Sequence, residues 1–337
     1  MISKRQIRKD EHIENYLKTS IHNDTLFDDV IIEHNSLSAV DFDKIDTSIE
    51  FLGQKIDMPL MINAMTGGGE LSYDINEDLS SICQNLNIAM AVGSQAIGLE
   101  DEESAESFSL MADKNLLRIG NLGAERSLED FINAAGMINA NAMQVHLNIA
   151  QELFMPEGDR DFSKINANLK NLAENLELPL IVKETGNGMS RKTIESLVEM
   201  GFKYIDISGS GGTNFIEIED MRDFESDYKE FYKWGIPTAQ SIIEAREVSD
   251  EIFIIGSGGI TNAVDMAKAL ILGADMTAIS GEALRYLLHG GYDACYQYLI
   301  DLKKRLKITM ALLGVENIGQ LKKVDYKIVG RLKDLVG

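Results

Sequence analysis

Cationic residues are scarce in this chain: 32 lysines and arginines stand against 54 aspartates and glutamates, a formal charge of −22 over 337 residues. Gripping nucleic acid over a broad surface needs a basic face, so that class of partner is excluded. Any anionic ligand must be met by a local cluster of positive groups. Cysteine is sparse too. Cys83 and Cys295 lie far apart and neither belongs to a CxxC pair, which argues against a zinc ribbon or a disulfide framework and points to a reducing, cytoplasmic setting. Only four prolines are present, which argues against long linkers. No apolar run approaches a bilayer's thickness, and the opening MISKRQIRKDEH is too polar for a secretory leader, so no membrane attachment is expected.

What the chain has instead is a recurring unit. Short apolar, β-rich runs end in small or polar residues at 58–68, 88–95, 117–124, 142–148, 179–186, 204–212, 252–259 and 274–281. Segments of helical period lie between them, among them 190–202, 238–249 and 261–274, with Ser190, Thr238 and Thr261 as expected N-caps. Eight strands alternating with helices predict an α/β fold, a (β/α)8 TIM barrel built as one domain over 1–337. An open doubly wound sheet is the alternative, but no GxGxxG follows the first strand. Residues 1–57 read as an N-terminal extension, 58–281 as the barrel, 213–237 as a long loop after the sixth strand, and 282–337 as C-terminal helices.

Barrels of this kind place their chemistry at the C-terminal ends of the strands, and polar residues gather there. SGSGGTNF (208–215) and GSGGITN (256–262) are two glycine-rich turns after the sixth and seventh strands, and ISGEAL (279–284) follows the eighth. Glycine lets backbone N–H groups approach an anion closely, so phosphate is the expected guest, although tight turning alone would also select glycine. Lys183 ends an apolar run, where it either snorkels to solvent or holds a negative charge in the barrel mouth. Ala64, Met65 and Thr66 beside a glycine run suit close packing against a flat ring. Ser94 and Asn121 either meet a ligand or cap the next helix.

QVHLNIAQELFMPEG (144–158) carries His146, Asn148, Gln151 and Glu152 at one strand end. In an extended segment His146 and Asn148 face the same way and can reach one ligand. Glu152 is either a solvated loop carboxylate or a Mg²⁺ ligand working beside substrate phosphate. Near the N-terminus, Arg8 and His12 share a helical face with Lys9 beside them, either a solvated tail or a clamp for a diphosphate.

In order along the chain, RKDEH, NAMTGG, AVGSQ, QVHLNxxQE with MPEGDRDF, VKETGxGMS, SGSGGTNF and SGGI resemble the type 2 isopentenyl diphosphate isomerases, over about residues 8 to 281. The resemblance implies an enzyme of isoprenoid biosynthesis that binds FMN and Mg²⁺, uses NADPH to keep the flavin reduced, and interconverts isopentenyl and dimethylallyl diphosphate. It also implies a homo-oligomer, tetrameric or octameric. Carried over by position, flavin contacts fall on Ala64, Met65, Thr66, Ser94, Asn121, Lys183, Ser208 and Thr213, with the FMN phosphate near Gly258, Gly259, Ser280 and Gly281. Arg8, Lys9 and His12 would meet the substrate diphosphate, His146, Asn148 and Gln151 would lie deeper, and Glu152 would take the magnesium. The chain departs from many relatives after the last strand, where Ser280, Gly281 and Glu282 stand in place of an expected arginine.

Shifting a double bond needs a proton added and another removed without net redox change, and reduced FMN is the expected acid and base. Two rival barrels are disfavoured by single residues. Oxidases of 2-hydroxy acids place a basic histidine after the sixth strand, where this chain has Ser210. Enzymes of the IMP dehydrogenase type need a nucleophilic cysteine in a catalytic loop, a context that neither Cys83 nor Cys295 has. A non-catalytic phosphate-binding barrel is the alternative from another class.

Overall fold

The computed structural model describes residues 4–20, 23–223 and 226–337, with the side chains of residues 4–8 and 10 outside the described set. Helix α1 (Lys4–Tyr16), strand β1 (Val30–Ile32) and a hairpin of β2 (Ile49–Phe51) and β3 (Gln54–Ile56) come first. Parallel strands β4 (Leu60–Ile62), β5 (Ala89–Ala91), β6 (Arg118–Gly123), β7 (Ala142–Leu147), β8 (Leu180–Glu184), β9 (Tyr204–Asp206), β10 (Phe253–Ser257) and β11 (Met276–Ile279) then close a barrel in sequence order, β11 pairing back on β4. Each lies inside one of the eight expected runs, as the TIM barrel reading requires.

Between the barrel strands run α2 (Ser72–Leu86), α3 (Glu102–Ser109), α4 (Leu128–Ile138), α5 (Ile149–Phe154), α6 (Ile165–Asn175), α7 (Arg191–Glu199), α8 (Phe215–Asp220), α9 (Thr238–Val248) and α10 (Ala263–Leu272). The chain continues through α11 (Gly281–Leu313), interrupted at Gly291 where φ is 71°, then α12 (Ile318–Leu321), β12 (Tyr326–Ile328) and α13 (Gly330–Val336).

Side-chain alternation along the strands organises the interior. Met61, Ile119, Ile181, Ile255 and Met276 point into the barrel with Ala89, Ala91, Ala142 and Ala278 between them, large beside small, so the layer fills without a pore. The β2–β3 hairpin plugs the N-terminal end. Phe51 and Ile56 join the same cluster, and the Phe51 ring lies 5.1 Å from Phe253 and 6.2 Å from Tyr204, the residues that open β10 and β9. Two positions further along, the same inward face turns polar: Asn63, Asn121, Gln144, Lys183, Asp206 and Ser257 are all buried. With the bottom sealed by aromatics, chemistry is confined to the C-terminal mouth.

Four expectations need correcting. Thr238 does not cap α9, which starts after Pro237; its hydroxyl donates instead to Gly258 O at 2.6 Å, tying the helix to a glycine turn. Asn262 rather than Thr261 caps α10, because its longer side chain accepts from Val264 N and Asp265 N, both at 3.0 Å. Ser190 caps α7 as expected, accepting from Thr193 N. Residues 213–237 are not one long loop: Asn214 accepts from Ile216 N and Glu217 N and starts α8, whose Ile216 and Ile218 are buried. The C-terminal region is not helices alone either, since β12 pairs antiparallel with β1, Val30 opposite Ile328.

Candidate active site

The barrel mouth holds two adjoining cavities, of about 210 Å³ and about 580 Å³. The smaller is lined by Ala64, Met65, Thr66, Lys183, Ser208, Thr213, Gly258, Gly259, Ser280 and Gly281. The larger is lined by Ser94, Asn121, His146, Asn148, Gln151 and Glu152. Lys9, His12, Ala64, Met65, Lys183, Thr185 and Phe215 line both and form the seam. The structure therefore brings together every site residue expected from the sequence except Arg8, whose side chain lies outside the described residues.

The smaller cavity is floored by backbone. Gly258 has φ +100° and Gly259 φ +79°, conformations that a side chain disfavours. A Cβ on Gly258 would meet Gly209 O at 2.0 Å and one on Gly259 would meet Gly211 O at 2.3 Å, so the two glycine turns interlock too closely for any other residue. Ser208 also has a positive φ, 35°, a strained conformation for serine at a strand end. On the third turn, a Cβ on Gly281 would meet the Tyr16 hydroxyl at 2.1 Å, which shows how closely α1 covers it. The arginine absent after β11 has a counterpart one helical turn later. Arg285 lines this cavity, its guanidinium 5.9 Å from the centroid of the Tyr16 ring.

Lys183 does not snorkel. It is 6% exposed, donates from Nζ to Glu184 O at 2.6 Å and lies in register with His146 on β7 and Asp206 on β9. Burial lowers its pKa, with Asp206 and Glu184 working in the opposite direction. Burial likewise raises the Asp206 pKa, offset by Lys183, Ser257 and Asn63. Thr66 is buried with its hydroxyl 2.6 Å from Ser72 Oγ, so its side chain braces the 64–69 loop while the loop faces the cavity.

At the end of β7 the chain turns from strand to helix sooner than an extended reading implies. Asn148 stands at the N-terminal boundary of α5, and Gln151 and Glu152 lie in that helix, yet all three still face the larger cavity with His146. Asn148 Nδ2 donates to Glu152 Oε1 and Asp159 N donates to Oε2, each at 2.8 Å, which leaves each carboxylate oxygen one further lone pair. Glu125, Asp130, Glu157 and Asp159 line the same cavity with Arg126, Lys9 and Lys183, a lining acidic on balance that suits a dication. Among the described residues no three His, Cys, Asp or Glu side chains are arranged to hold a metal by themselves. Magnesium there would need oxygens from a substrate or water as well as Glu152. Burial, reinforced by the Lys183 and Lys9 charges, pushes the His146 imidazole down to about 3, so it is neutral.

Over the mouth, α1 is held from an unexpected direction. His12 Nε2 lies 3.0 Å from Glu219 Oε1 without the alignment of a hydrogen bond, and burial lowers its pKa. Glu219, fully buried, also accepts from Gln151 Nε2 at 2.9 Å and pairs with Arg222. Arg222 further pairs with Glu11 on α1 at 3.0 Å and Glu157 at 2.8 Å. Lys9 Nζ donates to Ser94 O at 3.4 Å across the seam. Glu219 and Arg222 escaped the sequence reading because they fall in the segment taken for a loop. Asn214 followed by Phe215, Ile216 and Ile218 was the available signal for a capped helix. Asn63, Gln144, Asp206 and Ser257 were also missed, though counting every second residue along each strand from its apolar inward position reaches them.

A parallel barrel with interlocked glycine turns beside a buried lysine defines a barrel protein whose mouth is suited to a phosphorylated ligand. The family model described as FMN-dependent dehydrogenase matches residues 12–150 and 136–327. An isopentenyl-diphosphate delta-isomerase from Geobacillus sp. (strain WCH70) is 39% identical over 96% of this chain and 93% of its own length. Another, from Sulfurisphaera tokodaii, is 38% identical over 97% and 92%. Among solved structures, a flavocytochrome b2 mutant matches with a TM-score of 0.72 at 18% identity, covering 96% of this chain and 84% of that one. A mandelate oxidase mutant with a monooxide FMN adduct matches with a TM-score of 0.66 at 16% identity over 95% and 92%. These two show the shared fold. The chain belongs to the FMN-dependent dehydrogenase family and, within it, to the isopentenyl-diphosphate delta-isomerases.

Proposed function

We propose that this protein interconverts isopentenyl and dimethylallyl diphosphate in isoprenoid biosynthesis, using FMN kept reduced by NADPH together with Mg²⁺. The observation that carries the reading is the pair of cavities: a glycine-floored one suited to a cofactor phosphate, joined across Met65 and Lys183 to a larger one ending at Glu152. Ala64, Met65, Thr66, Ser94, Asn121, Lys183, Ser208 and Thr213 would hold the flavin, with its phosphate against the turns at Gly258, Gly259, Ser280 and Gly281. When bound and reduced, FMN supplies acid and base near N5, because no described side chain in the mouth is a strong enough acid for an unactivated alkene.

The protein's own groups then bind and orient. Lys9 and His12 at the seam, with Arg8 beside them in sequence, would meet the diphosphate, and Glu152 would hold the magnesium that neutralises it. Gln151, fixed by Glu219, and Asn148, fixed by Glu152, would hold the head in place. Ile97, Met155 and Phe215 supply apolar surface in the same cavity for the hydrocarbon end. The Arg222 contacts keep α1 over the mouth and exclude water.

A homo-oligomer, tetrameric or octameric, fits the exposed apolar side chains Leu37, Ile308 and Leu312, of which Leu37 is 90% exposed. No described helix is long and apolar enough to cross a membrane, and both cysteines are free thiols, which suits a cytoplasmic protein. An anaerobic assay with FMN, Mg²⁺, NADPH and isopentenyl diphosphate tests the reading. Many molecules of dimethylallyl diphosphate per NADPH consumed are expected. One NADPH per product, or no product, would return the chain to the redox members of its family.

A further inference from the structure

A line of buried amides crosses the polar layer of the barrel and ends on His146. Ser257 Oγ donates to Asp206 Oδ1 at 2.5 Å and Asn63 Nδ2 to Asp206 Oδ2 at 2.6 Å. Gln144 Nε2 donates to Asn63 Oδ1 and Asn121 Nδ2 to Gln144 Oε1, both at 2.8 Å, and Asn121 Oδ1 lies 2.7 Å from His146 Nδ1. An amide donates at one end and accepts at the other, so the line has a direction that a single reversal would break.

Two observations fix that direction. Asp206 receives Ser257 Oγ, Asn63 Nδ2 and Ser208 N at 3.3 Å, so it acts as an acceptor and Asn63 must turn its NH2 toward it. Independently, the backbone N–H of Ala64, which cannot turn round, donates to Asn63 Oδ1 at 2.9 Å. Gln144 must therefore donate to Asn63 and Asn121 to Gln144. The Asn121 carbonyl is left facing His146, whose Nδ1 has to carry the hydrogen.

We propose that Asn63, Gln144 and Asn121, anchored on Asp206, act as positioning residues that hold His146 as the Nδ1–H tautomer and aim an Nε2 lone pair into the larger cavity. Lys183 on β8 and Lys9 on α1 are the charges that bear on the ring, and both disfavour an imidazolium. His146 is thus a hydrogen-bond acceptor. It cannot donate from Nε2 to an ionised phosphate oxygen and must meet a donor. What it meets rests on the isomerase reading: a water bound to the metal has the right chemistry, since its hydrogens point away from the cation.

The test is nitrogen–proton correlation NMR on the flavin-loaded protein with nitrogen-15-labelled histidine, the His146→Gln variant identifying the signal among five histidines. A single Nδ1–H pattern with a pyridine-type Nε2, unchanged between about pH 5 and 8, is expected. An Nε2–H pattern, a mixture of tautomers or ordinary histidine titration would overturn the proposal. Gln144→Met then cuts the line inside the barrel: the tautomers should mix, and kcat should fall more than KM rises. A pure Nδ1–H form in that variant would show that the amides are not the cause. If Gln144→Met does not fold, Asn121→Ala removes the last acceptor at the cavity edge and is read by the same two outcomes. The tautomer readout needs no substrate, so a failure of the isomerase assay and a failure of the NMR test are separate results.

Discussion

Replacing Arg222 with methionine keeps the aliphatic bulk and removes the guanidinium that joins three carboxylates. Two of them are cheap to lose. Glu11 and Glu157 are 45% and 46% exposed, and exposed pairs contribute about 0.2–1 kcal/mol each. Glu219 is different, because its side chain is 0% exposed and an unpaired charge left there costs about 3–5 kcal/mol. Burial alone would raise the Glu219 pKa, yet contacts with His12, Gln151 and Arg222 outweigh it and bring the value from 4.5 to about 2. That shift corresponds to about 3 kcal/mol. His12 is itself lowered by burial, so the permanent charge of Arg222 is the dependable partner.

The expected loss for Arg222→Met is therefore roughly 3–7 kcal/mol, or about 5–10 °C in Tm from the usual unfolding entropy per residue. A depressed carboxylate pKa means the Glu219 contribution is present above pH 4.5 and fades as the pH falls toward about 2. The assay is a set of thermal melts at neutral and acid pH for the natural chain, Arg222→Met, Glu219→Gln and the double variant. Glu219→Gln removes the stranded charge, so the double variant should be more stable than the sum of the singles by about 2 kcal/mol. Simple additivity, or a loss under about 1 kcal/mol for Arg222→Met, would refute the reasoning.

Three further outcomes are expected. Gly258→Ala, with its Cβ set 2.0 Å from Gly209 O at φ +100°, should weaken FMN binding roughly tenfold or more by about 1–2 kcal/mol of local strain, read by flavin fluorescence titration. Glu152→Gln should raise the Mg²⁺ concentration needed for half activity by about tenfold or more while flavin content stays constant; an unchanged Mg²⁺ requirement removes the metal role from Glu152. Burial raises the Glu184 pKa from 4.5 to about 7 against the N–H groups of Asn187 and Gly186, so the folded state holds its proton longer and stability should decline as pH rises across that window. Denaturant midpoints should show that decline in the natural chain and not in Glu184→Gln.

The barrel was legible because fully buried parallel strands leave unmistakable apolar runs, and glycine with positive φ marked the turns that face the smaller cavity. His146, Asn148, Gln151 and Glu152 could be grouped from adjacency alone, although the strand ends at Leu147 and a helix, not an extended face, presents the last two. Less visible were contacts that the chain makes with itself at long range. Glu219 reads in sequence as one more acidic surface residue, and only the arrival of Arg222 and Gln151 around it makes it a buried one. The pairing of β1 with β12 left no mark, because three-residue strands carry too little period to read.

That last pairing bears on the order in which the molecule is made. The backbone N–H of Leu332 donates to Asp29 Oδ2 across 303 positions, and Val30 waits for Ile328 before its strand has a partner. A nascent chain meets no such partner while the barrel is being translated, so β1 has no strand partner until the segment near residue 330 emerges, although Thr25 and Phe27 before it already accept from Ala239 N and Lys268 Nζ. Closure of so long a loop comes late in folding. The strand that follows the roofing helix is therefore among the first segments synthesised and among the last paired, and a ribosome stalled shortly before β12 would carry a formed barrel, its cover already held through Glu11 on Arg222, whose β1 still lacks a partner.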